Sequence, residues 1–144
     1  MDNYTDITDK MLEIANNNPN IRFVRFDTEN NSINRSDFQT PAFVISPAQS
    51  VMNANSFVQY GFQLLYFDKM RQELDNYDDL LQESIQFILG FCGVLDLDYK
   101  VVQGVSLDPF LYTHDGAEMT GHQINILVES QYNFNKFKSP FYGN

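Results

Sequence analysis

The chain is 144 residues long, 43% apolar and 15% aromatic, which is enough for one domain with a real core. Nine basic residues stand against nineteen acidic ones, a net charge of −10, and the basic residues are scattered, which points away from nucleic-acid binding because holding a phosphate backbone takes clustered Lys and Arg. No apolar run approaches the roughly 20 residues that span a bilayer, and the start MDNYTDITDKMLEIANN is acidic and amphipathic, so neither a membrane span nor a classical secretion signal is expected.

Tyr4, Ile7, Met11 and Ile14 recur on one helical face, with Asp2 or Thr5 as cap, and NNNPN ends this first helix. IRFVRF alternates as a strand, with Ile21, Phe23 and Arg25 on one face and Arg22, Val24 and Phe26 on the other. The polar DTENNSINRSDFQTP is expected to be an exposed loop, followed by a short strand, AFVIS. In FVQYGFQLLYFD, Val58, Tyr60, Phe62, Leu64 and Tyr66 line one face of a long strand. Leu65 and Phe67 make its far end apolar on both sides, so a helix or a neighbouring chain must cover them.

A polar turn leads to a second helix, DLLQESIQFILGFCG, capped by Asn76 or Asp78 and ended by Gly90 or Gly93. Its expected buried stripe is Leu81, Ile85, Ile88 and Leu89, bordered by Leu80, Ser84 and Phe87. DYKVVQGVSLDPFLY reads as a long extended run whose Pro109 argues for an edge or a bend, and HQINILVES closes a hairpin with a long tip. The element order predicts an α+β fold: an antiparallel sheet with two helices on one face, as a single domain over residues 1–130, with an extended arm over residues 131–144.

Chemistry is thinly supported. His114 and His122 flank the hairpin tip and, with Asp115 or Glu118, could approach one metal ion, but a rigid third or fourth ligand is lacking, and exposed turn residues are the simpler expectation. The acidic groups DNYDD and DLD lack calcium-loop spacing, no phosphate-binding glycine loop or nucleophile elbow occurs, and no carboxylate pair is singled out for hydrolysis. Cys92, the single cysteine, lies in FILGFCGVL, the setting of a small buried hydrophobe, in keeping with a reducing compartment. No catalytic residue, metal or cofactor is therefore assigned.

The C-terminal SQYNFNKFKSPFYGN is the strongest positive feature, because its five rings, Tyr132, Phe134, Phe137, Phe141 and Tyr142, sit among residues that form no core alone. Burying them does not by itself offset the entropy of ordering the segment, so added strand pairing or a ready-made groove is needed. A contact with another chain is favoured over the segment folding back on its own sheet, and Leu65, Phe67, Tyr132, Phe134, Phe137, Phe141 and Tyr142 are the candidate subunit-interface residues.

The long strand SFVQYGFQLLYFDKM, the helix DLLQESIQFILGFCG and the closing hairpin GVSLDPFLYTHDGAEMTGHQINILVES, in that order over roughly residues 5–130, resemble the small tail-terminator and tail-completion proteins of tailed bacteriophages. The acidic, Asn- and aromatic-rich style also resembles connector ring proteins of crAss-like phages. The resemblance implies a homo-oligomeric ring, six- or twelve-fold, in the neck or tail of a virion, assembled in the host bacterial cytoplasm with other connector, portal or tail proteins. It implies no catalytic residue, and it makes the C-terminal arm a lock between copies. A negative bore would not trap passing DNA. The alternatives are a monomeric adaptor that accepts a peptide or small ligand, and a small metal-dependent hydrolase built on His114 and His122.

Overall fold

The computed structural model describes residues 4–52, 57–70, 76–103, 106–114 and 116–133. Helix α1 (Tyr4–Asn16) is followed by strand β1 (Phe23–Phe26), helix α2 (Glu29–Ile33), strands β2 (Ala42–Met52) and β3 (Phe57–Lys69), helix α3 (Tyr77–Leu95), and strands β4 (Lys100–Gln103), β5 (Asp108–His114) and β6 (Ala117–Asn133). All six strands belong to one sheet, ordered β1-β2-β3-β6-β4, and β5 also pairs with β6. The fold is α+β, and every pairing is antiparallel except β1 with β2. That parallel pair needs a crossover instead of a tight hairpin, which residues 27–41 supply.

Alternation along β3 sorts the core as expected. Phe62, Leu64 and Tyr66 join Phe43 and Ile45 of β2 and Ile124, Ile126 and Val128 of β6 on one face, against Ile7, Met11 and Ala15 of α1 and Ile88, Phe91, Cys92 and Leu95 of α3. Tyr4 stacks on Phe62 at 5.5 Å, fixing the start of α1 over β3. The helix stops in the Asn run, where Asn18 Oδ1 accepts from the Asn20 amide and the Ile21 amide donates to the Asn18 carbonyl.

Residues 27–41 are not the exposed loop expected of them. The Asn31 amide donates to Thr28 Oγ1 at the start of α2, and Ser46 Oγ donates to the Asp27 carbonyl, tying the segment to β2. Ile33 and Phe38 then turn inward to a second core with Phe23, Ala42, Val44, Leu65, Phe67 and Met119, onto which Phe110 and Tyr112 of β5 also pack. Two apolar residues in a polar stretch, five positions apart, do not register as periodicity, which is why the sequence reads as loop.

Five other expectations change. The buried face of α3 is Leu80, Ser84, Ile88, Phe91, Cys92 and Leu95, and Leu89 is 47% exposed, so the stripe is rotated from the expected one. The helix runs through Gly90 and Gly93 because Phe91, Cys92 and Leu95 beyond them are anchored in the core, which outweighs glycine's modest helix penalty. The long run DYKVVQGVSLDPFLY divides into β4 and β5, which share one edge of β6, β4 opposite residues 126–129 and β5 opposite residues 117–123. The hairpin tip is tight: His114 pairs with Ala117, and Gly116 before it has a φ of +75° that suits glycine. Finally, β6 continues to Asn133 opposite Phe57, so the strand runs three residues into the expected arm.

Candidate functional site

The candidate interface residues separate into two groups. Leu65 and Phe67 are 2% and 0% exposed, covered by Ile33, Phe38 and Phe110 of their own chain, so they are core residues and not a surface for a neighbour. Tyr132 falls in the last residues of β6, and Phe134, Phe137, Phe141 and Tyr142 lie outside the described residues.

The two histidines do not converge. His114 pairs at the turn, whereas His122 is five residues further along β6, about 17 Å away at the strand rise, opposite Tyr66 and Pro109. Among the described residues, no cluster of three or more His, Cys, Asp or Glu could hold a metal ion. Instead of being an exposed turn residue, His122 is buried beneath α3, where Nδ1 and Ser84 Oγ share a hydrogen bond and Ser84 donates to the Leu81 carbonyl. Burial holds the His122 pKa below its ordinary value, against the weaker opposing pull of Asp108, so the imidazole is neutral at neutral pH. A Ser–His pair suggests nucleophilic chemistry, but Ser84 is 0% exposed and beyond reach of a substrate. The pair cross-braces α3 and β6. Cys92 is likewise buried, with its thiol pKa pushed up to about 11, the opposite of an activated thiolate.

What the molecule offers outwardly is a groove between α1 and α3. Ile14, Phe87, Phe91 and Val94 form its apolar lining, Lys10 and Glu13 flank it, and it encloses about 620 Å³. The helices run in opposite directions: α1 begins beside Tyr60 and Phe62 and ends toward the Phe23–Phe67 end of the sheet, while α3 passes Tyr66 with Phe87 and ends near β4. Each mouth of the groove therefore lies near one helix C-terminus.

Gly90 contributes to the opening, since a Cβ there would meet no atom within 4 Å. The sequence concealed the groove because it lies between two helices distant in the chain, and Gly90 reads as a helix stop. Its electrostatics are one-sided. The last turns of both α1 and α3 carry no basic residue, and Asp96 and Asp98 stand at the end of α3, where the helix dipole is already negative. Lys10 is the single cation on the two helices and is engaged by Asp98 at 3.4 Å and by Glu13 at 4.0 Å.

Among the described residues no helix is long and apolar enough to cross a membrane. No family model matches the chain, and no curated protein matches it.

Proposed function

We propose that this chain is a non-enzymatic structural protein, a subunit of a ring in the head-to-tail connector or tail terminator of a tailed bacteriophage. Its place is the neck or tail of the virion, where it joins other connector, portal or tail proteins. The observation that carries this is architectural: a sheet with its two long helices on one face leaves, among the described residues, two strand edges without a partner, β1 on one side and β4 with β5 on the other, and an aromatic segment follows its longest strand. Open edges and a terminal arm are the means by which copies join head to tail in a closed ring. The acidic surplus suits a protein through which DNA passes without sticking.

The groove between α1 and α3 favours a second function, a monomeric adaptor holding a peptide. Light scattering over a range of concentrations separates the two, for the full chain and for a chain ending at Asn133. A discrete multimer that is lost on shortening supports the ring, whereas monomers in both cases favour the adaptor.

A further inference from the structure

We propose that the groove between α1 and α3 is the acceptor for residues 134–144 of a second copy of this chain. This rests on the ring function above, and it assigns the contact through which one copy would hold the next.

Three properties of the groove select this occupant. The groove is apolar inside, with Ile14, Phe87, Phe91 and Val94, and the segment FNKFKSPFYGN brings four rings, Phe134, Phe137, Phe141 and Tyr142, in eleven residues. The charge around it is acidic. Glu13 lines it and Asp98 reaches its single cation, Lys10, at 3.4 Å, while Asp6 and Asp9 of α1, Glu83 of α3 and Asp96 after it add exposed negative charge on the same two helices and their ends.

The segment is the complement of that field: Lys136 and Lys138 are two of the chain's nine basic residues, and the segment has no acidic residue. The remainder of the chain holds all nineteen acidic residues and seven basic ones; residues 16–26 match the segment in charge, but they bring two rings instead of four and end in β1, already paired in the sheet. The helix C-termini near the two mouths, each without a basic residue in its last turn, add fixed negative potential where a lysine can sit. Eleven extended residues reach on the order of 36–40 Å beyond Asn133, sufficient to leave one copy and lie along the helices of another.

The test co-expresses two full-length variants, Gly90→Cys and Phe137→Cys, and maps disulfides after mild oxidation. Position 90 is open to a side chain, and the native Cys92 is buried, which leaves it a poor competitor. The expected result is a covalent dimer whose linking peptide joins positions 90 and 137. Its yield should fall roughly tenfold when Lys136 and Lys138 are both replaced by Glu, and should decline with added salt.

A full-length chain carrying both substitutions that closes the same link only within itself, with none in the mixture, overturns the second copy as occupant. Absence of the link in both overturns the groove as acceptor. Light scattering of the unaltered chain separates these failures from failure of the ring. A discrete multimer without the link leaves the ring standing with its arm docked elsewhere, and a monomer without the link removes both.

Discussion

Ser84 of α3 and His122 of β6 share a hydrogen bond inside the helix-side core although 38 residues separate them in sequence. Burial disfavours the charged imidazole, so the folded pKa lies below the ordinary 6.5. As pH falls below that value, the unfolded chain takes up a proton that the folded site resists. Stability is therefore fully present above it and is lost on acidification until the folded site itself protonates. The urea midpoint should drop between about pH 7.5 and about pH 5.5 more for the native chain than for His122→Asn. Equal drops would remove His122 as the cause.

Helix α3 buries Ile88 at 0% exposure and leaves Leu89 half in solvent. Ile88→Ala should cost about 2–5 kcal/mol in chemical denaturation, and Leu89→Ala less than about 0.5 kcal/mol. Similar losses for the two would place the buried face elsewhere. On the strand beneath, Phe62 is fully buried, and Phe62→Ala should cost about 3–5 kcal/mol.

Gly121 of β6 lies so close to β3 that an added Cβ would stand 1.7 Å from the Tyr66 carbonyl oxygen and 2.8 Å from the Phe67 Cα. Backbone cannot yield there as a flexible side chain would. Gly121→Ala should destabilise by about 3 kcal/mol or more, whereas Gly93→Ala, on the open face of α3, should stabilise by about 0.5–1 kcal/mol. Thermal melts of the two variants should therefore shift in opposite directions.

Ser32 of α2 is fully buried, and its hydroxyl is without a hydrogen-bond partner among the described residues. An unsatisfied buried hydroxyl costs free energy that a methyl group does not. Ser32→Ala should be neutral or stabilising by up to about 1 kcal/mol, while its neighbour Ile33→Ala should lose about 2–4 kcal/mol by opening the second core. A clear loss in Ser32→Ala would mean that the hydroxyl has a partner.

Much of the fold was legible in the sequence because period-two and helical patterns survive wherever one face is buried along a whole element. The alternation of Tyr60 through Tyr66 and the spacing of Ile7 and Met11 both carried through to the core, while Val58 at the start of the same face is only half-buried. Legibility ended where burial came from single residues inserted out of polar stretches, as with Ile33 and Phe38, or where anchors on both sides overrode a local breaker, as at Gly90 and Gly93. The histidines misled because nearness in sequence around a turn says little about distance once the turn is tight and the strands run straight. The groove was beyond such reading, since neither helix alone records the space left between them.

Strand β6 has partners along both flanks: β3 on one side and, in succession, β5 and β4 on the other. Residues 134–144 follow directly from it. Tension applied to that segment along the strand would load the flanking ladders in shear, many hydrogen bonds at once, instead of peeling an edge strand one bond at a time. A chain that is to be pulled on by its end has that end joined to the member of the sheet hardest to draw out.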